Sequence, residues 1–503
     1  MNDTLLFCAA FLLLTNLFAQ NKLPEYQLTQ AEVEAHLRFL ASDELQGRRT
    51  GEAGIEIAAR YIAAQWQALG VKTINDGSYL QAVPLREITP MPTATLVWNR
   101  NTFSQGDNLM MLAGQAAELN TKIVFANYGW IDEAKGINDY EKLNVRGKVV
   151  VTFTGTSEDN TPTATFTSIA KKQQLAKERG ALALIEIFRM NPSVWQRAVN
   201  YFKRSRIEVA SSSGDLAYGW ILPGKTGIAK GLKSGKKCKI ALITSATNLR
   251  NIPANNVVGL IEGSDPKLRE EYILLSAHYD HVGTGANGGG AFTAQDSIFN
   301  GARDNAFGTT ALLAAAKVFS KVSPKRSVIL LACTAEEIGL LGSRYYADNP
   351  LIPLEKTVFN LNSDGAGYND KTAVAIIGLD RVGAKEEIVA GTAAFDLKII
   401  ADPMPEQGLF DRSDNASFAA KGIPAPNFSP GIRDFDKEIM KFYHQVGDNP
   451  ETVDYAYLLQ FCKAYTHTAR LIADKATRPF WMKGDKYEAA GKALYGVGVK
   501  DEE

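Results

Sequence analysis

Three nearly unbroken apolar runs stand out in the second half of the chain: Tyr272 to Ala277 (YILLSA), Ser327 to Thr334 (SVILLACT) and Thr357 to Ser363 (TVFNLNS). A strand with one wet face would alternate, so runs like these predict strands covered by helices on both faces. Helical periodicity between them, near Thr309 to Phe319 and Leu340 to Tyr346, completes a strand–helix alternation. That pattern predicts an α/β fold with a doubly wound, mostly parallel sheet. Upstream, Val33 to Leu40 and Ile55 to Leu69 repeat at helical spacing around Gly51 and Gly54, which predicts two helices. From about Pro90 to Ala246 the runs shorten and become β-rich (KIVFANYG, KVVVTFTG), with one helical block, SIAKKQQLAKERG, leading into ALALIEIF. This segment reads as a compact β-rich or α+β unit with its own core. The stretch after Pro479 is short and mixed in charge, and is expected to be a solvated tail.

The first twenty residues carry an apolar stretch from Leu5 to Leu14 with Asp3 as the only charge. It is too short to span a bilayer and reads as a signal-peptide core with a cut near Ala19, so the protein is expected to be secreted or periplasmic. No other run approaches a transmembrane span, which predicts no stable membrane insertion once the leader is gone. The 503 residues balance 55 Lys+Arg against 55 Asp+Glu, and this neutrality argues against a polybasic nucleic-acid binder. Cys8 would leave with the leader. Cys238, Cys333 and Cys462 are too few and too scattered for a disulfide framework.

Polar chemistry clusters just after the three apolar runs: His278 and Asp280, then Glu336 and Glu337, then Asp364. In open α/β sheets ligands bind beyond the carboxyl ends of the strands, so these groups should converge. Asp304, at a helix entrance, and His444 can complete the set, giving two imidazoles and five carboxylates, a composition suited to zinc. So many carboxylates repel one another unless cations balance them, and two divalent ions do so better than one. Asp304 is the natural bridge. One of the adjacent glutamates can ligate while the other acts as general base. His36 and His467 lie in helical segments and read as structural, and His281 as a loop or pocket-wall residue. GTGANG at Gly283 to Gly288 has dinucleotide-loop spacing but no good helix opening, and reads as a loop beside His278.

The ordered set HYDHVG, NGARDNAFGT, TAEEIGLLGSRYY, NSDGAG, SDNASFAAKGIPA and YHQVGDNPET, with HLRFLASDELQGRRTGEAG near the start, resembles the double-zinc exopeptidases of peptidase clan MH. These include secreted bacterial aminopeptidases, aminopeptidase S, plasma glutamate carboxypeptidase and the glutamate carboxypeptidase/transferrin receptor branch. GWIDEAKGINDYEKLNVRGKVVVTF followed by AKERGALALI resembles a protease-associated (PA) domain, which in such proteins sits inside the catalytic fold and helps cover the cleft. The resemblance implies a leader at 1–20, peptidase segments at 21–90 and 251–478, a PA insert at 91–250 and a tail at 479–503. It also implies two Zn²⁺ per chain, with His278, Asp304 and Asp364 on one ion and Asp304, Glu337 and His444 on the other. Glu336 would be the general base, Asp280 the support of the His278 ring, and Tyr443 a hydrogen-bond donor to the oxyanion. A cis peptide after Asp304 is part of the same expectation.

Two positions depart from the family pattern: Arg303 stands where an acidic residue is expected, and Asn415 turns SDH into SDN. Neither is an implied ligand, and both are expected to alter pocket charge and substrate choice. The implied reaction is exopeptidase hydrolysis of short peptides, most simply by an aminopeptidase. Water activated between the zincs gives its proton to Glu336 and attacks the scissile carbonyl. A dipeptidase or carboxypeptidase on the same scaffold would need an arginine for the terminal carboxylate, and Arg303, Arg412 and Arg433 lie in or near the motifs. Glutaminyl cyclase is disfavoured because the second metal's residues are kept. A catalytically dead receptor is disfavoured because no ligand is lost.

Overall fold

The three apolar runs form the centre of an eight-stranded sheet in the computed structural model, which describes residues 27–496 apart from 211–215, 225 and 231. The expected leader therefore lies outside the described residues. In chain order the strands are β1 (Leu80–Ala82), β2 (Asn255–Ile261), β3 (Tyr272–His278), β4 (Ser327–Cys333), β5 (Thr357–Asn362), β6 (Ala373–Ile377), β7 (Lys398–Ile400) and β8 (Asn427–Pro430). They lie side by side as β1-β2-β4-β3-β5-β8-β6-β7. The middle, β4-β3-β5-β8, is parallel, while β1, β2 and the β6/β8 pair run antiparallel to their neighbours. Every residue of β4 and β5 is buried. Successive side chains point to opposite faces, so both faces of the sheet centre are covered.

The longer helices of this unit are α1 (Gln30–Leu40), α2 (Ala53–Ala68), α3 (Phe307–Lys321), α4 (Leu341–Asp348), α5 (Lys385–Ala393), α6 (Tyr455–Asp474) and α7 (Glu488–Tyr495). Thr29 and Glu32 close a capping box at the start of α1, which fixes where that helix begins. Helices α1, α3, α5 and α6 pack as one group through Leu37, Leu312, Ile388 and Phe461 of the shared core. The described part of the stretch after Pro479, up to Gly496, is not the expected solvated tail. Trp481 is buried and donates its indole N–H to Gly422 O at 2.8 Å, and Tyr495 donates its hydroxyl to Thr357 O at 2.6 Å. Mixed charge hid a set of aromatic residues spaced to dock.

Residues Pro84–Ile252 form a second compact unit, inserted between Val83 and Pro253. Its own eight-stranded sheet has a parallel centre, Ala117–Phe125, Val149–Phe153, Ala183–Ile187 and Ala217–Ile221. The expected helical block runs Pro162–Glu178, and a second helix, Pro192–Phe202, was not expected. Asn191 caps it and Pro192 opens it, a start signal that the short apolar pattern around it obscured. No helix among the described residues is long and apolar enough to cross a membrane.

Candidate metal centre

Each strand end of the parallel centre delivers a polar side chain to one pocket. His278 is the last residue of β3, Glu336 and Glu337 follow β4, and Asp364 follows β5. Asp304 arrives from the turn Ala302–Ala306 that leads into α3, and Tyr443 and His444 from the loop before α6. The turn is tied to the sheet: Asn305 donates to Ser363 O at 2.9 Å and Thr309 to His278 O at 2.8 Å. The Asp304–Asn305 peptide is cis. The main-chain carbonyl of Asp364 accepts from Asn427 at 3.0 Å and from the Ser429 hydroxyl.

The donor atoms converge in two overlapping groups. His278 Nε2 lies 3.1 Å from Asp364 Oδ1 and 3.3 Å from Asp304 Oδ1. His444 Nε2 lies 3.2 Å from both Asp304 Oδ2 and Glu337 Oε2. Asp304 thus offers one oxygen to each group. Yet His444 Nε2, although buried, has no hydrogen bond of acceptable geometry. Ligands on a tetrahedral zinc with bonds of about 2.0–2.1 Å are roughly 3.3 Å apart, so the spacing and the unsatisfied nitrogen fit cations better than direct pairing. The donor set of imidazoles and carboxylates fits zinc.

Electrostatics point the same way. Burial raises the Glu336 carboxyl well above the ordinary range; His278 opposes the rise, but Asp364 and Glu337 add to it. For His444 burial works toward a lower value, yet Asp304 and Glu337 overcome it and hold the imidazole at about 10. Without cations the cluster balances its charge by holding protons. Bound divalent ions would displace that need.

Asp280 supports the site differently from the expectation. The His278 Nδ1 is nearer the Asp280 main-chain oxygen (3.2 Å) than its carboxylate (3.7 Å). The carboxylate instead accepts the backbone N–H groups of Glu336 (3.0 Å) and Glu337 (3.3 Å), so it aims the paired glutamates. Arg303 does not line the pocket. It is buried against Asp448 at 2.9 Å, donates to Thr452 and lies over the Phe442 ring at 3.7 Å, so its charge is spent on the supporting loop. Asn415 is fully buried and donates to Phe410 O and Ala425 O, a local brace. Neither therefore sets pocket charge. Arg433 pairs with Asp370 at 2.6 Å outside the lining, whereas Arg412 does line the pocket.

Sequence reasoning missed Arg48 and took His281 only as a loop or pocket-wall residue. Arg48 is buried and donates to Tyr279 O (2.9 Å), Asn300 O (2.6 Å) and Gly301 O (3.0 Å), clamping two of the loops that carry the site. His281 reaches Glu337 at 2.7 Å. Their signals, GRR and HYDH, were in view, but the partners lie far along the chain. His36 bonds Tyr61 (2.8 Å) and His467 packs on Phe395, as structural residues do. The GTGANG segment is a short strand and a single turn, with no helix opening there.

Residues 256–469 match Peptidase family M28. Among relatives, the vacuolar membrane protease of Saccharomyces cerevisiae is 38% identical over 114 residues, 23% of this chain and 10% of that protein. Aminopeptidase YwaD of Bacillus subtilis is 25% identical over 236 residues, 46% of this chain and 48% of that protein. The chain thus matches from a tenth to about half of the length of these relatives. Among solved structures, an aminopeptidase from Aneurinibacillus sp. strain AM-1 aligns over 88% of this chain and 93% of its own, at 18% identity and a TM-score of 0.46.

Proposed function

With residues 256–469 matching Peptidase family M28, we propose that this protein is an exported zinc-dependent exopeptidase, an aminopeptidase acting on short peptides. The observation that carries the reading is the convergence of His278, Asp304, Asp364, Glu337 and His444 at zinc-ligand spacing, with Asp304 turned to both groups. In this reading His278, Asp304 and Asp364 hold one ion and Asp304, Glu337 and His444 the other. Zinc bound there supplies Lewis acidity, making water a nucleophile near neutral pH and polarising the scissile carbonyl.

The chain's own groups carry the rest. Glu336 lies on the pocket wall with its Oε2 4.0 Å from His278 Nε2. Its raised proton affinity suits a base that takes a proton from the attacking water and returns it to the leaving amine. Tyr443, packed on His444 with ring centroids 4.3 Å apart, donates its hydroxyl to the oxyanion. Burial raises that phenol's pKa, which keeps its proton in place. Asp280 keeps Glu336 and Glu337 at fixed orientation through their backbone N–H groups. The inserted unit Pro84–Ile252 is read as a PA domain, and the apolar leader at Leu5 to Leu14 supports export.

One observation favours a second reading, a dipeptidase or carboxypeptidase. Arg412 lines the pocket beside Tyr443 and makes no ion pair among the described residues, so its guanidinium is available for a substrate carboxylate. A panel of short peptides with blocked and free termini separates the two. Loss of cleavage on N-acetylation alone supports the aminopeptidase, and loss on C-terminal amidation alone replaces it with the carboxypeptidase.

A further inference from the structure

His281 follows Asp280 into the site and is 1% exposed. Its main-chain N–H donates to Arg48 O at 3.2 Å, so the buried arginine fixes the loop that carries it. The ring sits edge-on to His444, with centroids 5.4 Å apart and planes at 80°. Gly301 leaves room for it, since a Cβ at that position would come within 2.6 Å of the imidazole. Toward the pocket, His281 Nδ1 lies 2.7 Å from Glu337 Oε1, while the other carboxylate oxygen, Oε2, faces His444 Nε2 at 3.2 Å.

The two oxygens of Glu337 are thereby divided between two tasks. An ionised carboxylate only accepts, so the proton of the contact sits on His281 Nδ1. The 2.7 Å separation is that of a charge-assisted hydrogen bond and is shorter than the roughly 3.3 Å expected between two ligands of one tetrahedral zinc. His281 therefore acts on the ligand and not on the ion. The two halves of the site also differ in burial. His278 is 1% exposed at the end of a central strand, whereas the His444 side chain is 30% exposed and its residue takes φ +52° in a loop. His444 is the more exposed of the two imidazoles, so its half of the site has more to gain from a carboxylate held in one orientation.

We propose that His281 is a positioning residue that makes Glu337 a single-oxygen ligand and thereby secures the metal in the His444 half of the site. The inference rests on the two-metal reading above. Removing a hydrogen bond to a metal ligand costs about 10–100-fold in affinity; here the loss falls on one ion, and the ion held by His278 and Asp364 stays.

The test uses the full chain as His281→Ala and His281→Asn. The Asn side-chain N–H₂ can stand where Nδ1–H stands, so it restores the donor. Zinc affinity is read by competition with a chromophoric chelator, zinc content by elemental analysis after dialysis, and folding by thermal unfolding of the metal-free proteins. Wild type should bind two zincs. His281→Ala should keep one and bind the other about 10–100-fold more weakly, with metal-free unfolding close to wild type, and His281→Asn should recover most of the loss. Undiminished binding of both ions by His281→Ala overturns the inference, as does equal weakening of both. An Asn variant that unfolds like wild type when metal-free yet binds no better than Ala overturns the donor role. Wild type holding no zinc overturns the two-metal reading itself.

Discussion

Both compact units bury ionisable groups beside the parallel strands of a mixed sheet, and they do so with opposite outcomes. In the inserted unit, Lys172 and Glu186 are fully buried and paired at 2.6 Å. Glu186 also accepts from the Tyr218 hydroxyl at 2.6 Å, Tyr218 accepts from the Trp220 indole at 2.5 Å, and Lys172 donates to Phe153 O at 2.8 Å. Charges cancel and the polar atoms of the pair have partners, so the network is closed. In the larger unit, four carboxylates and two imidazoles share a pocket, and the buried His444 Nε2 has no proper hydrogen bond despite oxygens at 3.2 Å. Desolvated charge persists only when something balances it. A closed network specifies a core, whereas an open one with converging donors marks a place for a ligand.

The contrast is sharpest at its open end. Asp304→Asn removes the oxygen pair shared by both donor groups and should abolish both zinc retention and peptide hydrolysis, measured by elemental analysis and turnover. Retained metal with full activity would leave the bridging assignment without support. Glu336→Gln should keep the metal and lower kcat by about 10²–10⁴, because the base is lost and the ligands are not. A rate near wild type with metal bound would show that Glu336 is not the base.

The closed network makes the opposite prediction. Lys172→Met leaves Glu186 buried without its cation and should destabilise the inserted unit by about 3–5 kcal/mol, read by urea unfolding, with zinc content unchanged. A loss of metal in that variant would break the comparison, since the two buried clusters would then not be independent.

The smallest effect concerns pH. Burial lowers the His36 imidazole to about 4, with Glu32 opposing, so the unfolded chain takes up a proton that the folded protein excludes between about pH 6.5 and 4. Its contribution is fully present above pH 6.5 and is lost as pH falls to 4, at most about 3 kcal/mol. Unfolding of His36→Asn should be less acid-sensitive than wild type across that window by up to this amount. Equal sensitivity would mean that burial does not hold the His36 ring neutral.

The central strands were legible because both faces of β3, β4 and β5 are buried, which leaves continuous apolar runs ending in polar residues. The five donor residues follow from those ends together with the motif series. Supporting residues were not legible, because their partners are set by the tertiary fold. Arg48 meets Asn300 and Gly301 more than two hundred and fifty positions away, and Arg303 looked like a pocket charge until Asp448 was found beside it. The docked C-terminal segment was missed for a related reason: Trp481 and Tyr495 pack on Gly422 and Thr357, neither of which local composition reveals.

The most direct test of the open cluster as a metal centre is the zinc content of the purified protein, with activity followed through chelation and readdition. The account predicts two zincs per chain, loss of peptide hydrolysis on chelation and its return with zinc. Less than one zinc per chain, with activity indifferent to the chelator, would contradict it.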